Sequence, residues 1–313
     1  MTDKSTLDVQ VIGSVGAAEA AEVLRLDEAA TRADGVAPLD DQVRLDLDHG
    51  DPDGAAVIHL LARLDNKLVG YGHARSTEDG PLNAHLVVAP ESRRGGVGTA
   101  LVQRLIERAG TAGLRVWAHG DEAAAGLLSE QLGFSRVRDL WQMRRRLDLP
   151  IAPPSYPDDV HVRTFEVGQD DEAWVRVNAA AFAGHPEQGA MTIDDLRQRI
   201  AQPWFDPLGF FLAMRDSELL GFHWTKVHPA EPDHTALGEV YAVGVSPQAQ
   251  GLGLGKALTA TGLLHLRSRG LTEVLLYVDG DNTAAIAVYE KLGFTRSALD
   301  VMYATGQADT STH

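Results

Sequence analysis

The chain has 313 residues, no cysteine, and 28 basic against 44 acidic side chains, a formal charge of −16. That charge repels nucleic-acid backbones and anionic membrane faces, and the absence of thiols excludes disulfides, thiolate zinc sites and a cysteine nucleophile. With 44% hydrophobic and 23% charged residues the chain is too apolar for disorder, and at roughly 100–200 residues per domain its length favours two domains, or one large one.

No apolar run approaches the roughly 18–20 residues that span a bilayer, and the opening MTDKSTLDVQ has neither the basic head nor the apolar stretch of a signal peptide. A soluble cytoplasmic protein is expected, a monomer, with no nucleic-acid and no membrane partner. In chain order, LLARLDNKLVGYGHARS (60–76) reads as a strand, a polar turn and a second strand. LVVAPESRRGGVGTAL (86–101) is an apolar run, a proline, a glycine-rich turn and a helix start. RVWAHGDEAAAGLLSEQLGF (115–134) is a strand and a helix. Pro150, Pro153, Pro154 and Pro157 then fix an extended, donor-poor segment over 148–159, which reads as a linker.

Beyond the linker the same pattern returns. DDEAWVRVNAAAF and TIDDLRQRIAQPW are amphipathic helix candidates, the second with a capping box formed by Thr192 and Asp195. FFLAMRDSELLGFHWTKV (210–227) repeats the strand pair, VGVSPQAQGLGLGKAL (243–258) repeats the glycine turn at an offset of 157, and VLLYVDGDNTAAIAVYEKLGF (274–294) repeats the last strand and helix at an offset of 160. VLLYV is apolar throughout, as a strand covered on both faces should be, and Gly293 suits the left-handed position that stops the last helix. The expected organisation is therefore two copies of one α/β unit, 1–147 and 160–304, with a loose tail from 305 to 313.

A strand that runs through Gln250–Lys256 into a helix presents backbone N–H groups with no intrahelical acceptor, and the helix dipole favours negative charge there. The turn is an anion site suited to a pyrophosphate. It is neither a Walker loop, since G-x-x-x-x-G-K-[ST] is absent, nor a dinucleotide fingerprint, since the acidic residue about 20 positions on is missing.

The pattern [Q/R]-x-x-G-x-[G/A], a strand, then N-x-x-A-x-x-x-Y-x-x-x-G-F resembles the GCN5-related N-acetyltransferases (GNAT family), and the resemblance covers both copies. It implies two tandem acyl-CoA N-acyltransferase domains with a mixed sheet (α/β, of the α+β kind) and acetyl-CoA as co-substrate, without a metal. The pantetheine arm is expected along Val243, Gly244 and Val245, and the pyrophosphate around Gln250, Gly251, Leu252, Gly253, Leu254, Gly255 and Lys256. Asn282, Thr283, Ala284, Ala285, Ile286 and Ala287 lie beside the far strand. In the first copy the corresponding residues are Leu86, Val87 and Val88 with Arg94, Gly95, Gly96, Val97, Gly98 and Thr99. Gly251 and Leu252 stand where the family often carries arginines, so backbone amides carry more of the expected binding.

The strings AFAGHPEQG (181–189), WFDP (204–207), GFHWTKVHP (221–229) and LGEVYAVGV (237–245) resemble a branch of the family that acetylates the cysteinyl α-amine of the thiol pseudo-disaccharide Cys-GlcN-Ins. That resemblance implies Glu239 as general base, Tyr289 as general acid, and substrate contacts from Asp41, Glu187, Lys226, Glu239 and Tyr277. The offsets set Glu239 opposite Leu82, Tyr289 opposite Ser129 and Asn282 opposite Glu122, so the first copy is expected to keep the anion turn without the chemistry. Plainer readings stand beside these: Glu187 and Lys226 as solvated charges, Tyr277 and Tyr289 as core aromatics. His223, His228 and His234 lack the spacing of a metal motif. The alternatives to this acetyltransferase are a coenzyme-A-binding sensor or scaffold without turnover, and a transferase of the same fold acting on another amine.

Overall fold

A computed structural model describes residues 6–49, 57–76, 80–120, 123–185, 188–230 and 235–305. They form two compact units, one within Met1–Leu140 and Ala298–His313, the other within Trp141–Ser297. The elements in chain order are β1 (Leu7–Ile12), α1 (Ala17–Asp34), α2 (Asp41–His49), β2 (Val57–Leu64), β3 (Lys67–Ser76), β4 (Leu82–Val88), α3 (Val97–Ala109), β5 (Leu114–Ala118), α4 (Ala123–Gln131) and β6 (Ser135–Arg146). They continue with β7 (His161–Thr164), α5 (Asp171–Ala181), α6 (Ile193–Ile200), β8 (Phe210–Arg215), β9 (Glu218–His228), β10 (Leu237–Val245), α7 (Leu254–Ser268), β11 (Glu273–Asp279), α8 (Thr283–Lys291) and β12 (Thr295–Ala304).

In the first unit the strands run β1-β2-β3-β4-β5-β12, antiparallel except where β4 meets β5. In the second they run β6-β11-β10-β9-β8-β7, with β10 and β11 parallel. The units do not follow the two sequence copies at their ends. Trp141–Arg146, from the first copy, closes the second unit, and Ala298–Ala304, from the second copy, pairs with β5 in the first. The proline-rich segment is irregular and tied to the second unit: Arg145 donates to the carbonyls of Leu149 and Pro150, and Tyr156 shares a hydrogen bond with Thr261. The tail from 306 lies outside the described residues. Among the described residues no helix is long and apolar enough to cross a membrane.

Side chains alternate across each sheet, which sorts the core by face. In the first unit Leu61, Tyr71 and Val87 pack under α1, while Leu60, Ala62 and Val69 meet Leu101 and Leu105 of α3. In the second unit Phe222 and Trp224 join Phe210, Leu212, Trp174 of α5 and Leu196 of α6, and Val240, Leu276 and Val278 join Leu263 of α7 with Ile286 and Tyr289 of α8. The local signals hold: Thr192 Oγ1 accepts from Asp195 N while Asp195 Oδ2 accepts from Thr192 N, and Gly293 has φ 88° just past α8.

The two units differ most in one row across the sheet. His59, His73 and His85 sit in register on β2, β3 and β4, and His119 stacks on His85 with ring centroids 5.6 Å apart. Each ring has a partner: Tyr71 Oη at 2.7 Å for His59, Asp46 at 2.8 Å for His73, Asp40 at 3.4 Å for His85 and Asp300 at 3.0 Å for His119. The matching row of the second unit reads Phe210, Trp224 and Ala242. Burial pushes His59 and His85 down to about 4, with neighbouring histidines adding to the effect. His223 of the second unit has neither ring nitrogen hydrogen-bonded among the described residues, and burial pushes it down to about 3.

A histidine held neutral in the folded state stabilises it fully above the unfolded value of about 6.5, and that stabilisation is lost as the pH falls toward the folded value. Roughly 3–5 kcal/mol is at stake for each ring. The thermal midpoint, followed by tryptophan fluorescence, should therefore be level above pH ~6.5 and fall steadily between ~6.5 and ~4; a midpoint unchanged down to pH 4.5 would show that these rings are not buried neutral.

Candidate active site

β10 is the strand on which the site is built. Its parallel ladder with β11 covers three residues, Gly238–Val240 against Val274–Leu276, although β10 continues to Val245 and β11 to Asp279. The register of β10 against β9 shifts between Val240 and Ala242, so Tyr241 is an extra residue in a bulge. Beyond it Ser246 N donates to Leu220 O, and the antiparallel alternation turns the N–H and C=O of Val243 and Val245 away from β9, toward the side β11 has left. The first unit repeats this: β4 and β5 pair only over Leu82–Ala84 and Leu114–Val116, and Ala89 N donates to Val69 O, which turns Leu86 and Val88 outward.

Each open edge leads into a glycine turn. In the second unit a 3-10 turn over Pro247–Ala249 precedes Gly251 (φ 83°) and Gly253 (φ 75°), the N-cap of α7. In the first, Pro90–Ser92 precedes Arg94 (φ 63°) and Gly96 (φ 85°), the N-cap of α3. Left-handed backbone is what Gly253 and Gly96 supply, and it aims the first N–H groups of each helix at one point. Leu254, Gly255 and Lys256 form the first turn of α7, and Val97, Gly98 and Thr99 that of α3. Asn282 caps α8, its Oδ1 accepting from Ala285 N at 3.0 Å, with Thr283–Ala287 in the turns that follow.

Glu239 lies within the short ladder, 8% exposed, directly across from Lys226 on β9. Its Oε2 is 2.6 Å from Nε2 of His228, which is itself half-exposed at the end of β9. Lys226 is buried and its ammonium sits over the rings of Trp204 (4.9 Å) and Tyr241 (5.6 Å), cation–π contacts that compensate for lost hydration. Tyr277, on the same face through β11, is exposed and accepts from Gln142 Nε2 at 3.0 Å. Tyr289 lies on the other face, packed edge-on to Phe294, and burial pushes its phenol up to about 12. Glu239 and Tyr289 therefore lie on opposite sides of the sheet.

Of the remaining candidates, Asp41 opens α2 in the first unit, and Glu187 lies outside the described residues. The sequence offset that set Glu239 opposite Leu82 needs correction. Lys226 pairs with Glu239 as Arg75 pairs with Asn83, and Leu275 pairs with Glu239 as Arg115 pairs with Asn83. The bulge at Tyr241 adds one residue to β10, so the counterpart of Glu239 is Asn83, whose Oδ1 is buried without a hydrogen-bond partner among the described residues. An amide is no base, so the contrast between the copies stands. His223 is a core residue packed on Gly262, where a Cβ would come within 2.0 Å of its ring; His228 is the partner of Glu239; His234 lies outside the described residues. Among the described residues no group of histidines and carboxylates is placed to hold a metal ion. The pairing of His228 is the feature that sequence reasoning missed; its only signal was that positions 226 and 228 share a strand face.

The model of the Acetyltransferase (GNAT) family matches residues 21–134 and 178–294, and the chain belongs to that family: it is an N-acetyltransferase that draws on an acyl-CoA. Within the family its relatives carry the name mycothiol acetyltransferase. The protein of that name from Thermomonospora curvata is 55% identical over 284 residues, covering 90% of this chain and 92% of its own, and that from Geodermatophilus obscurus is 52% identical over 299 residues, covering 94% and 97%. Among solved structures, a tandem GNAT protein from the clavulanic acid biosynthesis pathway superposes with a TM-score of 0.75 at 18% identity, covering 97% of this chain and 100% of its own. A GCN5-related N-acetyltransferase from Sphaerobacter thermophilus superposes with a TM-score of 0.68 at 25% identity, covering 96% and 95%.

Gly244 keeps β10 close to α5: a Cβ there would stand 2.7 Å from the ring of Phe222 and 3.1 Å from Ala181. Gly244→Val should cost about 1–3 kcal/mol by overpacking and lower the thermal midpoint by several degrees; an unaltered midpoint would show that the open strand yields without cost.

Proposed function

We propose that the second unit transfers the acetyl group of acetyl-CoA to the cysteinyl α-amine of Cys-GlcN-Ins, giving mycothiol, with Glu239 as base and Tyr289 as acid. The observation that supports this is a buried carboxylate on one face of the β10–β11 pair and a buried phenol on the other, beside the strand that continues into the open edge. The amine enters on the Glu239 face, among Lys226, Tyr277 and the aromatic floor. An α-amine has a pKa of about 7.7–8.0 and arrives largely as the ammonium, so Glu239 must take its proton before the lone pair can attack.

Acetyl-CoA supplies the thioester carbonyl. The N–H groups of Val243 and Val245, turned to the open side, are the donors available to the oxygen that gains negative charge. Tyr289, kept protonated by burial, delivers its proton to the departing thiolate, whose parent thiol has a pKa near 8.5, and the second proton that the acylated nitrogen sheds as the amide forms returns the phenol to its neutral form. No covalent enzyme intermediate is required, which suits a chain without cysteine. Attack by the substrate thiol would exchange one thioester for another, whereas the amide forms downhill, so the amide accumulates. Lys226 and Tyr277 are assigned to the acceptor, and Asp41 and Glu187 to its polyhydroxylated part.

The cradle of the first unit, Leu86–Val88 with Arg94–Thr99, is assigned to a second acetyl-CoA that is not turned over, since Asn83 and Ser129 replace the base and the acid. Release of free coenzyme from acetyl-CoA should follow addition of Cys-GlcN-Ins in preference to other amines. Glu239→Gln should lower kcat by about 10²–10⁴ and leave acetyl-CoA affinity in place, and Tyr289→Phe should lower kcat on the order of 100-fold. Turnover of other amines with none of the thiol sugar would contradict the acceptor, and wild-type kcat in either variant would remove that residue from its role.

A further inference from the structure

Among the described residues His228 is the one side chain with a short, direct hold on Glu239, and nothing in the acetyl-transfer reading gives it a task. We infer that His228 is a positioning residue for the base: its Nε2–H holds Oε2 of Glu239 at 2.6 Å and keeps the carboxylate aimed, so that the other oxygen receives the proton of the acceptor ammonium. The inference rests on Glu239 being the base.

The sheet geometry makes this arrangement specific. Lys226 and His228 are two residues apart on β9 and so point to one face; Lys226 stands directly across from Glu239 and His228 stands diagonally. Lys226 is drawn over Trp204 and Tyr241, away from service as a simple counter-ion at the carboxylate's tip, while the imidazole reaches Oε2 itself. Glu239 is 8% exposed and His228, at the rim, is half-exposed. A carboxylate taken out of water is stabilised in its charged form by each donor it keeps, and one that loses a donor holds a proton more tightly. The other charged groups arrayed about this position are Arg199, which donates to Tyr241 Oη at 3.0 Å on the same strand, and Glu273 with its partner Arg144 on the β11 side. Among the described residues the partner of Oε2 is His228, not one of these.

The test uses the full chain, acetyl-CoA and Cys-GlcN-Ins, with kcat and the KM for acetyl-CoA measured from pH 6 to 9.5 for wild type, His228→Ala, His228→Gln and Glu239→Gln. In His228→Ala, which leaves the carboxylate without its donor, kcat should fall several-fold across the range with KM for acetyl-CoA unchanged. His228→Gln keeps an N–H donor and should return kcat toward the wild type. A profile for His228→Ala that superimposes on the wild type, or an equal loss in both histidine variants at every pH, would overturn the inference. If Glu239→Gln is inactive while the His228→Ala profile is unmoved, only the role of His228 fails; if Glu239→Gln turns over like the wild type, the base assignment fails and the inference with it.

Discussion

The feature on which the rest depends is the early end of one parallel ladder. β10 and β11 share three residue pairs and then go separate ways, and the strand that continues carries the N–H and C=O groups of Val243 and Val245 on the side its neighbour has left. Backbone polar groups in a sheet interior are costly to leave unpaired, by roughly 1–3 kcal/mol for each buried group. A fold that keeps such an edge has room for something else to complete the ladder. An extended chain of amides is the ligand such an edge fits, and the glycine turn that follows it adds a cluster of helix N–H groups for an anion. The same two devices recur in the first unit, at Leu86, Val88 and the Gly96 turn, which is why both copies read as cradles for the same kind of molecule.

What separates the copies lies on the acceptor side. The bulge at Tyr241 carries β10 past its counterpart by one residue and brings Tyr241 and Ala242 both to the α5–α6 face, where Trp204 and Trp224 pack tilted against each other and Lys226 sits over Trp204. The first unit has no such extra residue between Leu82 and Val88; its β3–β4 register is unbroken, and the face that would receive an amine is filled by the histidine row and its carboxylates. The rings matched to Asp46, Asp40 and Asp300 make a polar core in the first unit, whereas the second has aromatic rings bearing one lysine, the face that the proposed function gives to the amine.

Much of this was readable in the sequence, and the reasons it was not all readable are physical. Gly251, Gly253 and Gly96 marked their turns because only glycine tolerates the left-handed backbone at no cost, and the Thr192–Asp195 box and Gly293 stop were local signals that tertiary packing had no cause to override. The exchange of terminal strands left no trace, because Ser135–Arg146 and Thr295–Ala304 occupy the same place in their repeats and either can complete either sheet. The bulge was hidden for a related reason. A gapless alignment anchored on the glycine turn counts residues, while a sheet counts pairs, and one extra residue was enough to move the counterpart of Glu239 from Leu82 to Asn83. The hold of His228 on Glu239 joins residues eleven apart through a hairpin register that periodicity alone does not fix.

The account stands on the open edge of β10 being the place where the pantetheine arm completes the sheet. Amide hydrogen exchange of the intact chain, with and without acetyl-CoA, addresses that directly. The N–H groups of Val243 and Val245 should exchange rapidly in the free protein and become strongly protected when acetyl-CoA is added, while Gly244, already turned toward β9, changes little. Protection confined to the glycine turns, with Val243 and Val245 exchanging at the same rate in both states, would contradict it.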